Sequence, residues 1–348
     1  MHAVIRTGLE TLYFSGAHIM MRPLVGGVGA ILTLHHVRPP RLERFQPNRM
    51  LEVRPDFLDD VIGGLRRSGV DFVSLDEMHR RLLEGDFRRR FVCVTFDDGY
   101  RDNRTWAYPI LKKYDVPFAL YLPTSFPDRI GELWWLALER VIAKQDRIGL
   151  TVDGDDLWFN CRGPSDKQET YEHIYWWLRS LPTEDEVRNA VRDLASRYQV
   201  DMADICEELC MTWDEVAELA ADPLVTIGAH TVNHVMLKKV SESVVRSELQ
   251  MSRAVIEAAL GVKPDHFAYP VGDRTTAGPR EFQIAAEVGY KTAVTMRAGV
   301  LFSAHRDHLM ALPRLSLNGD YQQMRFVRVL LSGAATAFWN GFRHVNAA

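Results

Sequence analysis

The chain has 348 residues, 47% of them hydrophobic and 25% charged, and its 42 Lys+Arg against 46 Asp+Glu leave a formal net charge of −4. This is an ordinary globular composition, long enough for two domains or for one α/β barrel carrying an insertion. Basic residues are scattered rather than banked, which gives no electrostatic footprint for nucleic acid. The four cysteines, Cys93, Cys161, Cys206 and Cys210, are too few for a disulfide framework and fit a reducing compartment. Cys206 and Cys210 have no further Cys or His nearby to complete a metal site and read as buried small residues.

Residues 1–29 read as an N-terminal helical segment. Its apolar run is broken by Arg6, Glu10, His18 and Arg22 and is followed by no small-residue cleavage site, so it does not read as a signal peptide. The stretch from Pro23 to Leu34 is a dozen residues with three glycines, too short to span a bilayer as a helix. A peripheral amphipathic anchor is one reading of either end of the chain, because Phe338, Trp339, Phe342 and Arg343 mix aromatic and basic character. Terminal helices packed on the domain are the other.

Short β-rich runs then recur at Ala30–Leu34, Asp71–Ser74, Phe91–Phe96, Pro117–Leu122, Leu224–Gly228, His266–Tyr269, Lys291–Thr295 and Leu312–Leu317. Helical patterns separate most of them. Arg54–Ser68 carries Phe57, Leu58, Val61, Ile62 and Leu65 on one stripe, Leu75–Glu84 is shorter, and Ser241–Leu260 repeats Val244, Val245, Leu249, Val255 and Ile256. Such alternation predicts a mostly parallel sheet, which in closed form places chemistry at the strand C-terminal ends. Between residues 127 and 211 the alternation stops and the sequence becomes Trp-rich and helical, with a hairpin or loop in DGDDLWFNCRGPSDK. The expected organisation is a barrel from 30–126 and 212–318, an insertion at 127–211 and a helical tail at 319–348.

Four segments at strand ends could carry chemistry. Asp97 and Asp98 in TFDDGY are adjacent carboxylates that cannot point the same way, so one can serve a metal and the other a proton. His230 and His234 in HTVNH, four apart, would share one side of a helical turn and suit a borderline metal such as zinc, given a third ligand. In LTLHHV a strand ends in His35 and His36. His35 is a candidate general acid, while His36 reads as a strand-capping histidine. In FAYPVG a Pro-x-Gly turn can aim a backbone N–H at a developing oxyanion.

Together these motifs resemble the polysaccharide deacetylases of carbohydrate esterase family 4, the NodB-homology domain, over roughly residues 30–125 and 211–318. The resemblance implies a distorted (β/α)7-type barrel, here with a helical insertion. It implies Asp97 as catalytic base and Asp98, His230 and His234 as ligands of a divalent metal, zinc first, with Co2+, Ni2+ or Mn2+ as alternatives. The N-terminal position of LTLHHV is similar to circularly permuted members that include poly-N-acetylglucosamine deacetylases, which gives His35 the general-acid role. FAYPVG departs from the family's Arg-x-Pro-Tyr-Gly, with Ala268 at the Arg position and Val271 at the Tyr position. Val271 can still donate its N–H. Arg314, in LPRL, is the candidate to orient Asp97 in place of the missing arginine, because a guanidinium grips a carboxylate in fixed geometry; a structural salt bridge is the alternative.

The function expected is metal-dependent removal of an N-acetyl group from an amino sugar in a glycan or glycan precursor, in the cytoplasm or peripherally at the inner face of the membrane. O-deacetylation or deformylation of a lipid-linked sugar, and a non-catalytic carbohydrate-binding barrel, are the alternatives. Trp134 and Trp135 could offer sugar-stacking surfaces, although core packing is the expected role for most of the insertion's tryptophans.

Overall fold

A computed structural model describes residues 2–152 and 155–347. Its strands are β1 (Gly29–Leu34), β2 (His36–Val37), β3 (Glu52–Val53), β4 (Asp71–Phe72), β5 (Phe91–Asp97), β6 (Phe118–Leu122), β7 (Arg147–Val152), β8 (Asp155–Asn160), β9 (Val225–Ala229), β10 (His266–Ala268), β11 (Thr292–Ala298) and β12 (Leu312–Ser316). Seven of them run parallel in the order β1-β12-β11-β10-β9-β6-β5, and β5 pairs back onto β1 to close the ring. All eight runs expected in the barrel form strands. The run at Asp71–Ser74 is shortest because β4 pairs only with Phe91 and Val92, and from Val94 onward that edge of β5 is taken by β6.

Both faces of these strands are covered, so they read as near-continuous apolar runs, and alternation decides which residue faces which layer. On β5, Val92, Val94 and Phe96 join the cluster under the helices, whereas Phe91 and Cys93 join the barrel interior with Ile31, Ala119, Tyr121 and Leu312. Two further steps along β5 carry that interior row to Thr95 and Asp97, and one step from Leu312 carries it to Arg314. Alternation alone therefore aims a carboxylate and a guanidinium into the top of the barrel. Gly228 belongs to the same packing, since a Cβ there would lie 2.5 Å from the ring of Tyr121, which fills the space.

The surrounding helices are set by their stripes and ends. Pro55–Arg67 buries Phe57, Leu58, Val61, Ile62 and Leu65. Glu242–Leu260 starts where the Ser241 side chain accepts from the Val244 N–H and stops at Gly261, whose φ of 70° suits glycine. The insertion has its own core, in which helix Trp134–Lys144 packs against Pro164–Ser180, Glu184–Arg197 and Met202–Leu209. β7 and β8 pair as a hairpin, where the sequence allowed a hairpin or a loop, and Asp153 and Gly154 lie outside the described residues. Trp134 and Trp135 are buried there and the half-buried Trp177 packs against the same core, as expected for most of the insertion's tryptophans, whereas Trp158 and Trp176 are exposed, with arginine side chains over their rings. All four cysteines are buried and free. Among the described residues no helix is long and apolar enough to cross a membrane.

Candidate metal centre and active site

The loops leaving β5, β9 and β10 at their C-terminal ends build one buried polar site. Asp98 has a φ of 72° and is followed by Gly99 at 66°, a left-handed turn that swings the second carboxylate away from the first. Its Oδ1 lies 3.3 Å from His234 Nε2 and 3.6 Å from His230 Nε2. Two ligands about 2.1 Å from a tetrahedral metal stand roughly 3.4 Å apart, so this spacing suits coordination. His230 Nδ1 is 2.7 Å from the Ala268 carbonyl, which fixes the tautomer that leaves Nε2 open. Asp98 Oδ1 is buried without a hydrogen bond, an acceptor that a cation would satisfy. Asp98, His230 and His234 thus fit a divalent metal by donor chemistry, convergence and burial.

The two histidines converge differently from the expectation. HTVNH is an irregular loop rather than a helical turn, with Thr231 and His234 in the left-handed region at φ 65° and 54°. Glu248 holds the loop: its buried carboxylate accepts from the N–H groups of Val232 (2.7 Å) and Asn233 (3.0 Å) and from the Asn233 side chain. No sequence motif marked Glu248. Its signal was a carboxylate on the buried stripe of an amphipathic helix, beside Val245, Leu249 and Ser252.

Asp97 lies on the other side of the turn. Arg314 donates to both its oxygens at 2.7 Å, and the arginine is fully buried. The remaining Arg314 N–H groups go to the Thr295 carbonyl, to Met296 Sδ and toward Thr95 Oγ1. Arg314 thus stands against Asp97 while Ala268 is spent on orienting His230. Burial would raise the Asp97 carboxyl, but the Arg314 charge, then His230, outweigh it and hold it below its ordinary range. His35 Nε2 is 3.9 Å from Asp97 Oδ2, and burial pulls the His35 imidazole below its ordinary value against the pull of Asp98 and Asp97. Burial also pushes His230 down to about 4, the neutral form that a metal ligand requires.

His36 turns away from this centre. Its Nδ1 meets Asp102 at 2.6 Å and its ring stacks on Tyr100 at 3.6 Å. Asp102 also accepts from the Val37 N–H, and Asn103 donates to the His35 carbonyl at 2.6 Å. Asp102 and Asn103 therefore fix the loop that presents His35, and no sequence spacing marked them. On the β10 loop, Val271 has a φ of 60°, and its N–H makes no hydrogen bond with another of the described residues.

The insertion grips the site loops. Arg188 donates to the Asn233 carbonyl at 2.6 Å, and Glu184 accepts from the Met236 N–H. Arg179 pairs with Asp273 at 2.7 Å on the Val271 loop, and Cys210 bridges Tyr100. Trp135 places its ring 4.8 Å from that of His234.

Residues 84–293, more than half of the chain, match the family model described as polysaccharide deacetylase, and the chain belongs to that family. It is a metal-dependent hydrolase whose substrate is an acetylated glycan or glycan precursor. His35 and Arg314 lie outside the matched span. The fold is similar to that of the Streptococcus pyogenes deacetylase PplD in complex with acetate (TM-score 0.57, 21% identity, covering 86% of this chain and 97% of that one). It is also similar to IcaB from Ammonifex degensii (0.54, 19%, 88% and 96%) and to a de-N-acetylase from Aggregatibacter actinomycetemcomitans (0.53, 15%, 86% and 99%). No curated protein sequence matches the chain.

Proposed function

We propose that this chain hydrolyses the N-acetyl group of an amino sugar, with Asp97 as base and His35 as acid beside a zinc ion held by Asp98, His230 and His234. Co2+, Ni2+ and Mn2+ suit the same ligands. The observation that carries the reading is the division of labour across one turn: Asp98 faces two histidines, and Asp97 is gripped by Arg314 with His35 beside it. Bound there, the metal supplies Lewis acidity and a water of lowered pKa. Asp97, kept ionised and oriented by Arg314, takes the proton from the attacking water as its oxygen bonds to the acyl carbon. The Val271 N–H donates to the carbonyl oxygen as negative charge gathers on it. His35 gives a proton to the sugar nitrogen as the C–N bond breaks, and its 3.9 Å separation from Asp97 lets the proton taken from water replace the one delivered.

In this reading residues 30–126 and 212–318 supply the catalytic barrel, 127–211 selects the glycan, and 1–29 and 319–348 are helical ends. The work is done in the cytoplasm, at the inner face of the membrane. The test is acetate release from N-acetylglucosamine oligosaccharides by metal-replete protein, with Asp97→Asn as control. Release by the wild type alone supports the reading, and equal release by both contradicts the base assignment. A second reading, O-deacetylation or deformylation of a lipid-linked sugar, is favoured by the exposed apolar residues on the terminal helices. An oxygen leaving group needs less protonation, so under that reading His35→Ala would lose little activity.

A further inference from the structure

Helices His2–Phe14, Ala17–Val25 and Ala334–Trp339 pack on one another at the edge of the barrel, with Val25, Ala334 and Ala337 buried in the seam and Leu12 and Met21 packed against it. Small residues fill the seam, and large ones are left outside. Ile19, Met20, Leu24, Phe338, Trp339 and Phe342 are between 49% and 79% exposed, and the rings of Phe338 and Phe342 meet edge to face at 5.2 Å. A cluster of this kind marks an interaction surface.

The unpaired charges on and beside these helices are positive. Glu10 is the only acidic side chain in the first 42 residues, and Arg6 and Arg325 already pair with it. No acidic side chain follows Asp320. Arg22, Arg328 and Arg343 are exposed, and none of them pairs with a carboxylate among the described residues. A second copy of this chain docked on the same face about a two-fold axis would bring these arginines against one another. A surface of negative phosphates would instead neutralise them while taking up the aromatic rings.

We infer that this face docks on an anionic lipid bilayer, with Trp339 and Phe342 entering the headgroup region and Arg22, Arg328 and Arg343 meeting lipid phosphates. The inference rests on the membrane-face location proposed above and gives it a surface and a lipid chemistry. Because no described helix can cross a bilayer, the contact is interfacial. The segment after Trp339 also ties the surface to the catalytic rim. Asn340 donates to the Ala298 carbonyl, and the Asn346 carbonyl accepts from Arg297. The Asn346 side chain pairs with Arg274, three residues beyond Val271.

The test is co-sedimentation of the full chain with vesicles of phosphatidylglycerol and phosphatidylcholine, beside vesicles of phosphatidylcholine alone. The protein should pellet with the anionic vesicles, less so as salt rises, and Met20→Ser combined with Trp339→Ser should weaken binding by about tenfold or more. Both positions are solvent-exposed, so this variant should keep its metal content and its release of acetate from a soluble oligosaccharide. A wild type that neither binds metal nor releases acetate would count against the deacetylase reading alone. Absence of pelleting, equal pelleting with neutral vesicles, or a dimer that the double variant dissociates would each overturn the inference.

Discussion

The barrel and the insertion contribute to the site in different ways. In the proposed mechanism the barrel supplies the reactive groups, most of them at strand ends: His35 after β1, Asp97 and Asp98 at the end of β5, and His230 and His234 after β9, with Arg314 inside β12. The insertion supplies none of these. It adds clamps beside those of the barrel, by Arg188 on Asn233 and Glu184 on Met236 next to His234 and by Arg179 on Asp273 in the Val271 loop, and it walls the centre with Trp135. A rigid sheet can thus fix a carboxylate by alternation alone, whereas a left-handed ligand loop needs outside clamps to stay in place.

This contrast is tested most strongly on the barrel side. Asp97→Asn should lower kcat by about 10⁴-fold while leaving the metal bound, measured as acetate release beside elemental analysis. His35→Ala should cost about 10²- to 10³-fold, again with metal retained; unchanged turnover would show that another group is the acid. Arg314→Met leaves Asp97 as a buried unpaired charge and should destabilise the protein by about 3–5 kcal/mol in denaturant titrations. On the insertion side the effect is smaller. Arg188→Met should weaken metal affinity by about tenfold through the Asn233 loop with little change in kcat at saturating metal. A loss as large as that of Asp97→Asn would erase the distinction between the two regions.

The pH dependence of folding gives the smallest effect. His305 Nδ1 accepts from the Phe302 N–H at 2.9 Å, and burial pushes this histidine down from 6.5 to about 4. The unfolded chain therefore binds the proton more readily between those values. His305 contributes its full stability above pH 6.5 and loses it as pH falls toward 4. Metal-free protein should show this fall in thermal unfolding, and His305→Asn should make the slope shallower; an unchanged slope would contradict the assignment.

The sequence announced the barrel because strands buried on both faces leave apolar runs that nothing else in the chain imitates. Asp97, Asp98, His230 and His234 were legible for a related reason, since paired carboxylates and paired histidines directly after such runs stand out. Arg314 was found by asking what could replace Ala268, a question about chemistry rather than spacing. The helical turn expected for HTVNH was absent, because Glu248, sixteen residues beyond Val232, offers the loop's N–H groups better partners than a helix would. Asp102, Arg188 and Arg179 were invisible for the same reason: each acts on a residue distant in sequence, and an isolated charged residue carries no pattern.

In the proposed mechanism one turn divides two carboxylates between a metal and a proton. Elemental mass spectrometry of the wild type, Asp98→Ala and Asp97→Asn, purified side by side and reconstituted with zinc, tests it most directly. About one metal per chain is expected in the wild type and in Asp97→Asn, and almost none in Asp98→Ala. Equal metal in Asp98→Ala and the wild type, or loss from Asp97→Asn instead, would contradict it.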